Sequence, residues 1–417
     1  MFLHRGVFAI NIQIDYQCPQ CGAPALLEET DRIFTCQYCR VKSCLIPEGV
    51  FRYMLPHPAN PGKDIFFLPY WRYRGMQYGC VGQEVQQRFV DVTQQAVDAP
   101  YFPMTLGVRA QAMKLSFVAP DTQGHFLAPD LPVRTVLQHQ EDVFQSSFSG
   151  AKVYHHAHVG ETLSLIYAPF YIDSCAVDAV LNRPVSDPLP EGVMDGFAVS
   201  ETFHWPLRFV PALCPSCGWD LSGERNALVL SCTNCNRAWQ PVGAALKPVP
   251  VMFLPGHETA DLYVPFWRIA ADVTGLALSS YADLVRVANL PKVVQKGWDK
   301  IPCYFWSPAF RLSPKAFLSL SIQMNLTQPQ ENPAAGNPPG SCYPATLPVK
   351  EAAEALKISL AGMMKPAETR MPMLPQISIR PTRFALVYIP FQSGHQEWLQ
   401  PEYHIAINKN LLTLTDH

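Results

Sequence analysis

Cys18-Pro19-Gln20-Cys21-Gly22, followed by Cys36-Gln37-Tyr38-Cys39, returns later in the chain as Cys214-Pro215-Ser216-Cys217-Gly218 and Cys232-Thr233-Asn234-Cys235. Each cysteine of the second set stands 196 positions after its counterpart, and fourteen residues separate the two pairs in both sets. Eight cysteines in one register describe a chain built twice around the same kind of cluster.

A Cys-x-x-Cys turn places two thiolates on one ion, and a second such turn completes a tetrahedron of soft ligands, the set zinc prefers. Gly22 and Gly218 follow the second cysteine, where the chain curls back and a positive φ is cheap only for glycine. Arg32-Ile33-Phe34-Thr35 and Ala227-Leu228-Val229-Leu230 read as strands leading into the second turn of each cluster. With four cysteines and no histidine or open ligand, each site reads as closed and structural. Over 16–40 and 212–239 the chain resembles the zinc-ribbon superfamily. That resemblance implies two small metal-stapled folds, ligated by Cys18, Cys21, Cys36 and Cys39 and by Cys214, Cys217, Cys232 and Cys235, and implies no particular activity. A rubredoxin-like iron site uses similar Cys-Pro-x-Cys-Gly turns and stands as the alternative metal assignment.

The repeat continues past the cysteines. Pro69-Tyr70-Trp71-Arg72 recurs as Pro265-Phe266-Trp267-Arg268 at the same displacement. Tyr101-Phe102 then aligns with Tyr304-Phe305, Leu131-Pro132-Val133-Arg134 with Leu347-Pro348-Val349-Lys350, and Leu165 to Phe170 with Leu386 to Phe391. The displacement grows along the chain. Its largest step falls at 328–344, rich in Pro, Asn and Gly, which reads as an inserted, exposed loop whose removal costs little stability.

The expected fold is mainly β, of the α+β class. It is internally duplicated, each half carrying a zinc ribbon followed by two β-rich modules with a helix. The boundaries are 1–44 for an N-terminal strand and the first ribbon, and 45–125 and 126–196 for modules A and B. The second ribbon takes 197–240, the repeat of module A 241–327, the inserted loop 328–344, and a helix with the repeat of module B 345–417. Residues 162–172 and 382–391 read as strands, and 349–364 and 133–144 as helices. Pro69, Pro169, Pro265 and Pro390 should mark where strands bend or end, since proline gives no N–H to a ladder. Ile10, Ile12 and Ile14 alternate as in a strand rather than a signal peptide.

The chain has 417 residues, 13 cysteines, 40 prolines, a formal charge of −2 and only 16% charged residues, against about 25% in ordinary domains. So sparse a charge suits a surface partly covered by partners. Cys44, Cys80, Cys175, Cys303 and Cys342 remain after the eight ligands, an odd set without regular spacing, which points to a reducing cytoplasm rather than a disulfide framework. No apolar run is long enough for a transmembrane helix.

Trp71, Arg72, Trp267 and Arg268 are the candidate partner-binding residues, since arginine beside an aromatic stacks and binds carboxylates. The competing reading is a core tryptophan beside an arginine satisfied by a buried carboxylate, and a shared fold favours it. His155, His156 and His158 align with Gln376, Ile377 and Ile379, so that face reads as packed rather than metal-binding. Cys44 reads as a small buried apolar residue. Phosphate-binding, nucleophile-elbow and zinc-protease motifs are absent from the sequence. Glu28, Glu29, Asp31 and Arg32 leave the first hairpin acidic, as Asp220, Glu224 and Arg225 leave the second, whereas nucleic-acid binding requires an excess of Lys and Arg.

The reading favoured is a non-catalytic zinc-binding scaffold or adaptor subunit of a larger cytoplasmic protein assembly, with two structural zinc ions and other protein subunits as partners, in a hetero-oligomer rather than a monomer. The alternatives are a nucleic-acid-binding ribbon protein and an enzyme with an arginine-containing site between the two halves.

Overall fold

Two long antiparallel ladders organise the molecule. The computed structural model describes residues 13–47, 49–56, 63–107, 113–118, 122, 124–146, 148, 151–197, 208–255 and 260–413. Of the expected N-terminal strand, Ile14 lies in Gln13–Gln17, while Ile10 and Ile12 fall outside the described residues. The structure is mainly β, with several sheets.

In the first half, strand Phe66–Val81 runs against Val153–Ile172 on one side and Glu84–Gln95 on the other. In the second half, Leu262–Thr274 runs against Ser378–Ser393 and Phe305–Pro308. The registers correspond at the repeated residues. Pro69 faces Tyr167 and Trp71 faces Leu165, while Pro265 faces Tyr388 and Trp267 faces Leu386. Each indole N–H donates to the carbonyl of the leucine before a proline, Trp71 to Leu131 and Trp267 to Leu347, both at 2.8 Å. Each proline carbonyl accepts from an alanine amide, Pro69 from Ala96 at 2.9 Å and Pro265 from Ala309 at 3.1 Å.

Residues 45–125 and 126–196 are not separate bodies, because Phe66–Val81 and Val153–Ile172 belong to one sheet. The same holds for 241–327 and 345–417, which share the ladder of Leu262–Thr274 with Ser378–Ser393. A strand needs partners on its edges, and here each finds one across the proposed boundary.

The four repeated prolines lie inside long strands rather than at their ends. Each continues its ladder on one side while the neighbour on the other side stops. Pro69 sits one residue beyond the Tyr70–Gln95 pair that ends the second ladder, and Pro265 one beyond Phe266–Pro308. Pro169 flanks the Phe170–Asp178 terminus, and Pro390 lies between the ladders that end at Tyr388 and resume at Gln392. The missing N–H therefore removes no ladder bond.

Helix Val133–Ser146 contains the expected 133–144 segment. The segment 349–364 divides into helices Val349–Glu354 and Leu356–Met363, joined at Ala355. The segment 328–344 is not a detached surface loop. Gln328 is buried, and its amide both accepts from the Tyr304 N–H and donates to the Tyr304 carbonyl, satisfying the backbone just before the edge strand Phe305–Pro308. Ala334–Ala335 pairs with Met252 and Phe253, and the buried Tyr343 donates its hydroxyl to the Leu412 carbonyl at 2.8 Å.

The halves share one core. Met76, Tyr78, Cys80 and Val159 of the first half pack in the same cluster as Phe317, Leu356 and Leu360 of the second. The Tyr78 hydroxyl, buried between them, donates to the Pro314 carbonyl at 2.9 Å. No helix among the described residues is long and apolar enough to cross a membrane.

Candidate metal centres

Each cluster is made of two turns with the same backbone bonding. The amide four residues after the first cysteine returns to that cysteine's carbonyl: Gly22 to Cys18 and Gly218 to Cys214 at 2.8 Å, Arg40 to Cys36 and Asn236 to Cys232 at 3.0 Å. All four returning residues have positive φ, Gly22 at 71°, Gly218 at 73°, Arg40 at 60° and Asn236 at 56°. The glycines are legible in the sequence. Arg40 gives no such signal, and Asn236 only a weak one, since asparagine tolerates this region better than other side chains.

The four sulfurs converge in both sites, with all ligand atoms of a cluster within 4.8 Å of one another. Cys18–Cys39 and Cys21–Cys36 are 3.7 Å apart, and Cys214–Cys235 and Cys217–Cys232 are 3.5 Å apart. A tetrahedral zinc with bonds of about 2.3 Å spaces its sulfurs about 3.8 Å apart, so both cages have the right size and donor set to hold a metal ion. Bound there, the ion supplies a covalent-strength cross-link between two turns otherwise held by a short hairpin.

The turns favour the thiolate at at least one sulfur of each cluster, while burial and the neighbouring thiols push Cys39 and Cys235 up to about 12. The Cys39 and Tyr38 amides aimed at Cys36 bring its thiol down to about 6. The Asn234 side chain and the Trp219 amide do the same for Cys217, also to about 6. Hydrogen bonds to sulfur favour the charged form that binds metal. Cys18, Cys36, Cys214 and Cys232 are buried, whereas Cys21, Cys39 and Cys217 face outward.

The two ribbons pack on each other. The Arg225 carbonyl in the second hairpin accepts from Arg32 at 2.7 Å and Ile33 at 2.9 Å in the first. Its guanidinium pairs with Asp31, whose carboxyl burial pushes upward against the Glu28 amide and Arg225. Arg208–Pro211, which precedes the second ribbon, adds a strand to Lys42–Ile46, which follows the first. Phe209 stacks on Tyr16 at 5.2 Å and meets Phe34 edge-on at 6.2 Å. Cys44 is fully buried in this junction with Ala212, Leu221 and Leu230. Lys42 donates to the Leu221 carbonyl and Arg237 to Ser216, so these two cations near the clusters are engaged within the protein.

The residues singled out beyond the cysteines are mostly consumed inside the fold. Arg72 has no exposed surface. It donates to Glu29 at 2.7 Å and through two nitrogens to Asp91, both at 2.8 Å. Burial opposes its charge, but Glu29 and Asp91 outweigh that and hold its pKa above the ordinary arginine value. Trp267 is buried and Trp71 half-buried, each spending its N–H as described. Arg72 and Trp267 are therefore core residues and present no surface to a partner. Arg268 differs. Half-buried, it lies 4.8 Å from the Tyr304 ring and 6.0 Å from that of Trp306, with Met252 Sδ at 3.7 Å. No carboxylate pairs with it among the described residues.

The three histidines do not converge on a metal site: the groups of potential ligands among the described residues are the two cysteine clusters. His156 packs edge-on to Phe144, and His158 edge-on to Tyr73 with Glu141 at 3.8 Å. Burial lowers His155 and His158 to about 4, with Lys357 and His156 adding to it for His155, and His156 and Arg88 for His158.

The cavity that sequence reasoning missed lies where both hairpins meet the second sheet. It contains Arg32 and Arg311, two arginines with no shared motif, brought together only by the docking of the ribbons. No protein-family model, curated protein or solved structure matches the chain.

Proposed function

We propose that this chain is an internally duplicated, non-catalytic scaffold subunit that binds other proteins in the cytoplasm and carries two structural zinc ions. The observation that carries the role is the surface left by the ribbons. Their metal cages are closed by cysteine alone, yet large apolar side chains stand exposed on them: Tyr38 at 69%, inside the first cage's second turn, and Trp219 at 58%, beside the second cage's first turn. Leu213 and Val242 are exposed on the same ribbon at 48% and 41%. Aromatic residues held on a rigid cross-linked turn lose little freedom on binding, which suits protein recognition.

The duplication is supported by the common registers at Trp71 and Trp267 and by their common hydrogen bonds. The same bonds equate Ala96 with Ala309, in place of the alignment of Tyr101 with Tyr304. On that footing most of the second half's extra residues lie between Leu262–Thr274 and Phe305–Pro308, around helix Tyr281–Val287, where the first half has a two-residue turn. The insertion at 328–344 is then small.

The test is isolation of the chain from its native source under mild conditions, with cross-linking before lysis. The expected result is stoichiometric co-elution with other subunits, reduced by Trp219→Ala without loss of metal. A monomer in native extract overturns the reading.

A further inference from the structure

The cavity at the junction of both ribbon hairpins and the second sheet has a volume of about 90 Å³. Arg32 reaches it from the first hairpin and Asn226 lines it from the second, while Arg311 enters from the turn after strand Phe305–Pro308. Thr30, Thr346 and Glu351 also line it. Two guanidinium groups therefore face one carboxylate. The Arg32 fork is fixed, with Nη1 donating to the Glu29 and Asp31 carbonyls, both at 2.8 Å. The Nε of Arg311 is buried and finds no acceptor among the described residues. A charged donor buried without an acceptor is destabilising, and native structures rarely keep one without a reason. Burial lowers the pKa of Arg311, the Glu351 and Glu29 carboxylates oppose this, and the nearby positive charge of Arg32 reinforces it. Glu29 and Asp31, whose carboxylates also act on Arg32, are already engaged by Arg72 and by Arg225.

We propose that this cavity binds a small tetrahedral oxyanion, of the phosphate or sulfate type, between Arg311 and Arg32. Guanidinium forks match such oxygens in pairs. Thr346 accepts from the Arg311 amide at 3.0 Å, which leaves its own proton to donate. The space takes an ion of this size with a few waters. Bound there, the anion joins the first ribbon, the second ribbon and the second sheet, and so stabilises their docking. This inference is independent of the scaffold reading.

Full-length, metal-loaded protein is titrated with potassium phosphate and potassium sulfate by calorimetry and thermal melting, against potassium chloride at matched ionic strength. Saturable binding and a higher melting temperature with both oxyanions are expected, beyond the chloride effect. Arg311→Gln should weaken binding by about tenfold or more, the scale of a lost charged hydrogen bond. Glu351→Gln, which removes the competing carboxylate, should tighten it. Equal stabilisation of wild type and Arg311→Gln, or no saturable binding above chloride, overturns the proposal. Should Arg311→Gln not fold, Glu351→Gln decides: unchanged or weaker binding overturns it.

Discussion

Arg72 and Glu29 form an ion pair with no solvent exposure on either side chain, Nη1 to Oε2 at 2.7 Å, joining the middle of a long strand to the hairpin of the first ribbon. Glu29 also lies 3.7 Å from Arg74 and within reach of the Ser164 hydroxyl at 3.4 Å. Removing one member of such a pair leaves a charge buried with too few partners, at a cost of about 3–5 kcal/mol. Glu29→Ala should therefore destabilise the chain on that scale in chemical denaturation and loosen the first ribbon from the sheet. A loss under about 1 kcal/mol would show that the pair adds nothing net.

Metal analysis of protein purified without added metal should return two zinc per chain and little iron. Cys21→Ser should leave one, and should make the first ribbon and the docked Arg208–Pro211 strand sensitive to protease, because ligation and folding are coupled there. One zinc in the wild type, or an iron chromophore, refutes the assignment.

Stability should fall as the solution is acidified from about pH 6.5 towards pH 4. His155 and His158 are held near 4 by burial, from an ordinary value of 6.5. Between those limits the unfolded chain binds protons that the folded chain does not, so stability rises with pH in that window, and below it these two groups contribute no further change. His158→Gln should flatten the slope of melting temperature against pH between 4 and 6.5. An unchanged slope would place the titration elsewhere.

Deleting 328–344 should destabilise the second half rather than merely trim its surface. The deletion removes Gln328 from the Tyr304 backbone, strand Ala334–Ala335 from its sheet, and Tyr343 from the Leu412 carbonyl. Tyr343→Phe alone should cost about 1 kcal/mol, the scale of one hydrogen bond. A deletion variant with wild-type melting behaviour would restore the view of this segment as a loop.

The sequence by itself determined the two four-cysteine clusters that could hold a metal ion, because a Cys-x-x-Cys turn is local: its cysteines, its glycine and its hairpin lie within about twenty-five residues. It also determined the strands at 162–172 and 382–391, which lie within Val153–Ile172 and Ser378–Ser393, since β-branched and aromatic runs declare themselves without knowledge of their partners. The buried carboxylate beside Arg72 was foreseeable as a type but not as Glu29, forty-three positions away. Only the tertiary structure decided that the modules of each half are one sheet, and that the two ribbons exchange backbone bonds through Arg225. It alone set Arg268 among aromatic rings while Arg72 is locked in a carboxylate pair, and it alone brought Arg32 to Arg311. These pairings depend on which surfaces meet, and a surface is composed of residues far apart in the chain. Periodicity and spacing record what a residue does to its neighbours along the backbone; they carry no record of what packs against it from two hundred residues away.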